Sequence, residues 1–471
     1  MSNPEFRSLF ISNNRILSNL SDRIIMNFSS KLLPLFALAL LGLSACSNQP
    51  GQNSRQEAPH FAVPELLPRA GGLSDGEFKK VQARYEVLKK HIEQEPAKPD
   101  AYVTMAQLYL NEARVTGKHH DYIPKARLVL DEALKYDPSN FGANITKASM
   151  LMTLHQFADA KSLAEKAIQS NPASAFAYGV LCDANVELGK YDEAVKASDM
   201  MLSTRPDLSS YARASYLREI HGDRPGAISA MKMAADAGAP GTEERSWALY
   251  NLANLFLNQG KLDTAAYIYN GILEERPNYP YALNGLASVK AARKDYGDGI
   301  ELLVKASQLA PEHLFFEQLS DIYLAMDQKD QAGTMEKRVL DAFEQHEKGG
   351  WNVDREYAVY CANHDIKLPE ALMRAKREMD RRPDNIDVQD TYAWCLYKNG
   401  KAAEAVPYIE QAMRFKSDNP TLHYHAGMIY TAGGNKTKAA AELRTALRDN
   451  PYMNVLYADE ARKTLDSMRK I

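Results

Sequence analysis

The stretch NVELGKYDEA, residues 185–194, connects one apolar helical pattern to another through a glycine. Gly189 followed by Lys190 is typical of a helix end, because glycine readily adopts the left-handed backbone conformation that closes a helix. Pro206 follows Ala194 by twelve residues and cannot continue the second helix. The stretch therefore predicts a hairpin of two antiparallel helices that ends before Pro206.

Prolines at this place in the pattern recur at a nearly constant step. Steps of about 34 residues, one of them slightly longer, connect Pro138, Pro172, Pro206, Pro240, Pro277 and Pro311. The same step returns from Pro383 through Ser417 to Pro451. A period of this length predicts a solenoid of helical hairpins rather than one globular core. Such arrays bind other chains on a long concave surface.

Small residues precede the prolines at a fixed distance, where two helices must cross closely. Twelve residues before the repeat positions other than Pro240 stand Ala126, Ala160, Ala194, Ala265, Gly299, Ala371, Ala405 and Ala439. Between Pro311 and Pro383 one proline is missing, and we expect two hairpins there, separated by the glycine pair at 349–350. The pattern thus predicts an all-α array of about ten hairpins over residues 100–451, with capping helices at 76–99 and 452–471.

Composition argues against several classes of function. The 471 residues carry a formal net charge of -3, so no global basic field attracts nucleic acid. Four cysteines do not make a disulfide framework in a chain of this length, and we expect Cys182, Cys361 and Cys395 to be buried free thiols. No nucleotide-binding loop, nucleophile elbow or metalloprotease motif occurs in the sequence. We therefore expect a protein that is not an enzyme and uses no cofactor.

The histidines do not have the spacing of metal ligands. His119 and His120 are adjacent in a stretch, residues 116–120, that we interpret as a loop insertion within the first hairpin. His423 and His425 lie two apart on a predicted helix and so face different directions. We therefore expect no metal site.

The beginning of the chain has the order of a bacterial leader. Lys31 precedes an apolar run over residues 32–43, which has the length of a signal-peptide core and is too short to span a bilayer. The run ends in LSAC, residues 43–46, which resembles the lipobox of bacterial lipoproteins. In that family the cysteine, here Cys46, is acylated.

This resemblance implies a processed, lipid-anchored protein. Residues 26–45 would form the signal peptide and residues 46–75 a lipidated cysteine with a flexible tether, since that segment is rich in polar residues, proline and glycine. Residues 1–25 fit poorly as part of a leader, so we interpret them as an extension upstream of a working start at Met26. Ser47 rather than aspartate follows the cysteine, which favours the outer membrane of a bacterial envelope and not the cytoplasm.

Two stretches, residues 185–194 and AWCLYKNG at 393–400, resemble the tetratricopeptide repeat (TPR). The resemblance extends over residues 97–470, and residues 215–429 are also similar to a group of bacterial TPR proteins without a settled biochemical role. It implies a right-handed superhelix with about eight hairpins per turn, so this array would close slightly more than one turn. It also implies that the first helix of each hairpin faces the concave groove.

The TPR resemblance places two polar and aromatic clusters in that groove. The first, from the fifth and sixth hairpins, comprises Trp247, Tyr250, Asn251, Asn254, Asn258, Tyr281 and Asn284. The second, from the ninth and tenth, comprises Asp390, Trp394, Tyr397, Tyr424 and His425. Carboxamides bond both sides of a peptide backbone, and aromatic rings supply contact area. The alternatives are that the first cluster is merely tolerated on a wet face and that Trp394 packs between hairpins.

Two classes of function remain. The favoured one is a non-catalytic, membrane-anchored adaptor that binds segments of other envelope proteins through its concave face and the membrane through lipid on Cys46. The alternative is a structural or carbohydrate-associated protein whose groove aromatics stack on peptidoglycan or polysaccharide. Asn251 and Asn254 occupy positions used by TPR domains that clamp a C-terminal carboxylate, but the basic partners of that clamp are absent. We expect no nucleic acid partner.

Overall fold

The computed structural model describes residues 61–469, and every regular element within that range is a helix. The 22 helices are α1 (Asp75–Gln94), α2 (Pro99–Thr116), α3 (His119–Tyr136), α4 (Phe141–Thr153), α5 (Phe157–Ser170), α6 (Ala175–Glu187), α7 (Tyr191–Thr204), α8 (Leu208–Ile220), α9 (Arg224–Ala237), α10 (Glu243–Leu257), α11 (Leu262–Glu275), α12 (Pro280–Ala292), α13 (Tyr296–Leu309), α14 (His313–Ala325), α15 (Lys329–Lys348), α16 (Asp354–Asn363), α17 (Leu368–Arg381), α18 (Ile386–Lys398), α19 (Ala402–Ala412), α20 (Pro420–Ala432), α21 (Lys436–Asp449) and α22 (Tyr457–Arg469). The all-α prediction is confirmed.

The helices pair into ten hairpins, from α2 with α3 to α20 with α21, and α1 and α22 flank them. Pro172, Pro206 and Pro383 each stand two residues beyond a second helix, as the spacing predicts. The turn within the third hairpin needs its glycine for two reasons. Gly189 has a φ of 73°, and a Cβ on it would overlap the backbone of Asp384. Glycine is therefore required both by the local turn and by a distant segment that approaches it.

Of the two predictions made for the irregular parts of the repeat pattern, one is confirmed and one is wrong. The missing proline coincides with α15, a helix of 20 residues that ends at Gly349 and Gly350, and this confirms the predicted separation of two hairpins. The loop insertion predicted at residues 116–120 is wrong. The extra residues instead lengthen α2 and α3 to 18 residues each, and only residues 117–118 separate them.

The first helices of the hairpins form the inner face of the array. Contacts join α2 to α4, α4 to α6, α6 to α8 and α8 to α10, and the same continues in α10 with α12 and from α16 to α22. The second helices of neighbouring hairpins make few or no direct contacts with one another. Since the helices that approach each other lie on the inside of a curve, the array bends toward its first helices.

The curvature is tight enough for one turn of the array to contact the next. Hydrogen bonds and ion pairs join residues separated by 193 to 206 positions along the chain. These pairs, which we call the seam, are Gly72 with Asn278, Glu77 with Arg276, His119 with Glu312, His155 with Asn352, Glu187 with Arg382, Val186 with Asn385, Arg224 with Asp418, and Leu257 with Asn450.

The seam corrects the predicted pitch. Because each hairpin takes up about 34 residues, a separation of 195 positions corresponds to just under six hairpins per turn. The expected eight per turn is therefore wrong for this chain. The physical reason lies in long-range pairs such as the Arg382 guanidinium, whose Nη1 lies 2.7 Å from Oε2 of Glu187 and whose side chain is 7% exposed.

Residues 61–74 correct the predicted tether, because they pack on α1, α2 and α3. The side chain of Leu73 is 1% exposed, and the hydroxyl of Tyr122 bonds both the backbone N–H and the carbonyl of Leu67, each at 3.1 Å. Arg69 lies between Glu112 and Glu77, and Glu77 continues across the seam to Arg276 at 2.6 Å. Polar composition alone suggested flexibility, but a few apolar side chains and this ion-pair network hold the segment. Cys46 and the predicted leader lie outside the described residues.

The cysteine prediction is confirmed for the three thiols that the structure describes. Cys182, Cys361 and Cys395 are free and buried. Burial raises the pKa of Cys182 and of Cys361 to about 12. Since the thiolate is the reactive form, these residues behave as small apolar side chains.

Candidate functional site

Tyr250 is the centre of the first predicted cluster. Its ring centroid lies 6.1 Å from that of Tyr269 and 5.7 Å from that of Tyr281. The hydroxyl of Tyr281 donates to Oε1 of Glu312 at 2.9 Å. Burial alone would raise the pKa of Glu312, but hydrogen bonds from His119 and Tyr281 hold it down to about 2. The cluster is thus a packed tyrosine group with a charged end at the seam.

The carboxamides of this cluster are largely occupied by neighbouring groups. Asn254 accepts a hydrogen bond from Tyr269 through its Oδ1 at 2.5 Å. Asn251 donates to the backbone carbonyl of Trp247 in its own helix at 2.8 Å. Binding of a peptide backbone by Asn251 or Asn254 would therefore have to replace these bonds.

The remaining members of the first cluster differ in exposure. Trp247 is partly buried against the apolar core between the fourth and fifth hairpins. Asn258 is exposed at the end of α10. Asn284 is 8% exposed, and its Oδ1 has no hydrogen-bond partner among the described residues. The structure thus brings these residues to one side of the array, where Asn258 is exposed and the others are partly or fully buried.

The second predicted cluster is a buried core. Trp394 is 1% exposed, its Nε1 donates to Asn363 at 2.9 Å, and its ring stacks on His425 at a centroid distance of 4.0 Å. Tyr397 stacks on the same indole at 4.9 Å. Asp390 accepts from Nδ1 of His425 at 2.9 Å. These contacts are those of packing between hairpins, the alternative named for Trp394, and binding by this cluster stays a prediction.

Helix α22 covers the second cluster. Tyr424 stacks on Tyr457 with a centroid distance of 4.6 Å and donates to Oε2 of Glu460 at 2.5 Å. Tyr424 is 1% exposed as a result. A terminal capping helix therefore converts groove positions of the last hairpins into core.

Two cavities lie beside the first cluster. Cavity A, of about 220 Å³, is lined by Val186, Tyr191, Tyr216, Glu219, Ile220, Gly222, Arg224, Leu255, Asn258, Gln259, Asn385, Ile386, Asp387, Ser417, Asp418, Asn419 and Pro420. Cavity B, of about 290 Å³, is lined by Leu257, Asn258, Asn284, Ser288, Ala291, Ala292, Leu314, Glu317, Gln318, Asp321, Ile322, Asn450, Tyr452, Met453, Asn454 and Val455. Asn258 lines both, so the two cavities adjoin, and both include residues from two turns of the array.

Sequence reasoning missed Tyr216 and Gln318 in these cavities. Gln318 stands one repeat period after Asn284, which in turn stands one period after Tyr250, so the period itself was the signal. Tyr216 is 43% exposed, yet desolvation raises its pKa well above the usual value of 10.0. A side chain with accessible area that is nevertheless surrounded by protein lies in an enclosed space rather than on an outer surface.

The histidines of the first hairpin meet others across the seam. His119 and His120 lie at the start of α3, and the ring of His120 is 4.5 Å from that of His346. Burial and the neighbouring histidines lower the pKa of His346 to about 3. Among the described residues, no group of His, Cys, Asp and Glu is arranged to hold a metal ion.

No helix within residues 61–469 combines the length and the apolar character needed to cross a membrane.

Solved structures similar to this chain include several helical repeat proteins. The human IFIT1 dimer with PPP-AAAA is 11% identical, with a TM-score of 0.42 over 79% of this chain and 86% of that chain. A tetratricopeptide repeat protein from Parabacteroides merdae is 18% identical, with a TM-score of 0.33 over 56% of this chain and 98% of that chain. PilW, a type IV pilus biogenesis factor, is 20% identical, with a TM-score of 0.36 over 45% of this chain and 98% of that one. At such identities and scores, these likenesses say nothing about what this chain binds.

One curated relative is cellulose synthase operon protein C of Pseudomonas fluorescens (strain SBW25). It is 27% identical over 168 residues, which are 34% of this chain and 13% of that protein. The chain thus matches only a small part of the relative's length.

Two family models, both described as tetratricopeptide repeat, match the chain. One matches residues 151–217, and the other matches residues 211–280, 250–313 and 393–454. These ranges fall on helices that pair as hairpins, at the same step that the prolines follow. Residues 151–313 and 393–454 of the array are therefore tetratricopeptide repeats.

Proposed function

We propose that this chain is a non-catalytic adaptor of the bacterial cell envelope that binds an extended segment of another protein along its inner face. Repeats of this kind serve mainly as scaffolds for proteins and peptides. The observation that carries the proposal is the enclosed space of cavities A and B, which Asn258 joins and which Tyr216 enters with 43% of its area exposed. An extended segment fits such a space better than a folded surface does, because the seam limits its width.

Photo-crosslinking tests this proposal in the native host. The full chain would carry p-benzoylphenylalanine at position 216, on the inner face, or at position 267, where the tyrosine is 80% exposed on a second helix. We expect protein adducts from position 216 and markedly fewer from position 267. Equal adducts at the two positions, or adducts from position 267 alone, would contradict binding on the inner face.

The membrane-anchored part of the proposal rests on the lipobox-like residues 43–46. Acyl chains on Cys46 would hold the protein at a membrane after a salt wash, since their attachment is hydrophobic rather than electrostatic. We propose the outer membrane, because Ser47 follows the cysteine. Fractionation of the wild type and of Cys46→Ser tests it, and a wild type found in the soluble fraction would rule out the anchor.

A second candidate is a carbohydrate-associated role, and the name of the Pseudomonas relative favours it. In that case aromatic side chains of the groove, Tyr216 among them, would stack on sugar rings. Co-sedimentation of the full chain with insoluble cellulose and with peptidoglycan sacculi tests this candidate. Retention that Tyr216→Ala abolishes would support it, and absence of retention would remove it.

A further inference from the structure

Cavity B contains hydrogen-bond acceptors in excess of donors. Asn284 and Gln318 both line it, and the side-chain oxygen of each is buried without a partner among the described residues. A buried acceptor that lacks a donor costs free energy, because it has given up water without gaining a new bond. Two such oxygens in neighbouring hairpins indicate a site that a donor from elsewhere completes.

The orientation of the Gln318 amide follows from its hydrogen bonds. The hydroxyl of Ser288 uses its own hydrogen on the backbone carbonyl of Asn284 at 3.2 Å. Ser288 Oγ must therefore accept from Nε2 of Gln318, with which it is in hydrogen-bond contact. This leaves Oε1 of Gln318 as the free acceptor.

Asn284 carries the second unpartnered oxygen of this cavity. Its Oδ1 is buried and has no hydrogen-bond partner among the described residues. Asn284 is 8% exposed, so bulk water does not replace the missing partner.

Two carboxylates add negative charge to the same cavity. Glu317 accepts from Nδ1 of His313 at 2.8 Å, and Asp321 accepts from Asn454 at 2.9 Å and contacts Nε2 of His364 at 3.0 Å. Among the described residues that line cavity B, none is lysine, arginine or histidine. Cavity A also contains carboxylates, those of Glu219, Asp387 and Asp418, but its lining includes Arg224, which pairs with Asp418. Of the two cavities, only cavity B has carboxylates without a cation in its lining.

We propose that cavity B binds a lysine or arginine side chain of the protein segment that occupies the inner face. This inference rests on the proposed function and names the chemistry of its partner. An ammonium or guanidinium group carries several donors and a positive charge, which match two amide oxygens and two carboxylates. A neutral amide would supply the donors but not the charge.

Labelled peptides test the inference by fluorescence anisotropy with the full chain in detergent micelles. The probes are decapeptides of glycine, serine and alanine with a single central arginine, lysine, citrulline, norleucine or glutamate. Citrulline retains the shape of arginine without its charge. We expect arginine and lysine to bind about tenfold or more tightly than citrulline or norleucine, and glutamate to bind weakest.

Two substitutions of matched size separate binding from damage to the fold. Gln318→Glu adds a charge and should tighten the arginine peptide, whereas Glu317→Gln removes one and should weaken it, each by roughly threefold to tenfold. A variant that merely misfolds cannot tighten binding. Glu301→Gln, at an exposed position on α13, is the control and should leave affinity unchanged.

The outcomes distinguish this inference from the proposed function. Equal binding of the arginine and citrulline peptides, or no change on Glu317→Gln, would overturn the cation site even if crosslinks from position 216 still capture proteins. A glucosamine tetramer that binds more tightly than every peptide would overturn the protein segment as occupant. Loss of crosslinks at position 216 with retained preference for arginine would instead contradict the proposed function.

Discussion

The two clusters that looked alike in sequence have different surroundings in the fold. Both combine aromatic rings with polar side chains on the first helices of neighbouring hairpins. In the last hairpins, α22 covers the cluster, and Trp394 and Tyr424 are each 1% exposed. In the fifth and sixth hairpins no capping helix follows, and Asn258 and the adjoining cavities remain accessible.

The difference shows that the position of a residue in the repeat does not determine by itself whether the side chain lines the groove or is buried in the core. His425 and Trp394 form a ring stack because the last hairpins must bury their apolar surface under α22. Tyr250 and Asn284 lie in mid-array, where the second turn passes at a distance that leaves cavities. What covers a hairpin thus decides the role of its inner residues.

The largest expected effect comes from the buried cluster. Trp394→Ala should lower the free energy of unfolding by about 3–5 kcal/mol, because it opens a cavity and removes the bond to Asn363. Trp247→Ala, at a partly buried site, should cost about 1–2 kcal/mol. Chemical denaturation followed by circular dichroism measures both. Similar losses for the two variants would erase the distinction between the clusters.

A second test concerns the seam that encloses the first cluster. Arg382→Met should cost about 2–4 kcal/mol, because it breaks the ion pair with Glu187 across the seam and removes one partner, at 2.6 Å, of the buried carboxylate of Glu378. Arg462→Met is the control, since its ion pair with Asp459 is exposed on both sides. Denaturation midpoints that do not differ between the two variants would mean that the seam contributes little.

The third test uses pH at the place where His120 and His346 meet. The folded pKa of His346, about 3, is below the unfolded value near 6.5. Stability from its neutral form is therefore present above pH 6.5 and is lost as the pH falls toward 3. Between pH 7 and pH 5 we expect a loss of roughly 1–2 kcal/mol in the wild type. The His346→Leu variant should lose less stability over the same pH range. An equal loss in the variant would mean that another group causes the pH dependence.

The smallest effect is expected within the first cluster itself. Tyr250→Phe removes a hydroxyl that lies among polar neighbours, with burial raising its pKa, and should cost about 1 kcal/mol. Tyr267→Phe, at a residue that is 80% exposed, should cost nothing measurable. Thermal denaturation of the two variants compares them. A Tyr250→Phe variant as stable as the control would mean that the tyrosine group is not a structural unit.

The fold could be predicted from the sequence where it depends on local chemistry. Helix ends at Gly189, the stops before Pro206 and Pro383, and the count of ten hairpins follow from backbone preferences that a short window reveals. The pitch could not be predicted, because it depends on pairs such as Glu187 with Arg382 that lie 195 residues apart. The packing of residues 61–74 could not be predicted either, because its few apolar residues are buried only by contact with helices that are distant in the sequence.

The candidate site could be predicted only in part. Tyr250, Asn258 and Asn284 do lie on the inner face, because the repeat register specifies which side of a helix faces inward. The exposure of these side chains could not be predicted, because it depends on α22 and on the second turn of the array. Gln318 was within reach of the same period, but nothing local marks its amide oxygen as unpartnered.

The seam also changes how unfolding should spread through the molecule. A simple repeat array behaves as a line in which each unit senses only its two neighbours, so that its ends fray independently of its middle. Here the bond from Asn450 to the carbonyl of Leu257 ties the last hairpin to the fifth, and Arg224 ties the fourth to the segment before α20. Each hairpin along the seam therefore has neighbours in the adjacent turn of the array as well as neighbours along the chain. Fraying at the C-terminal end should therefore lower the stability of hairpins in the middle of the chain. In a simple linear array those hairpins would not be affected.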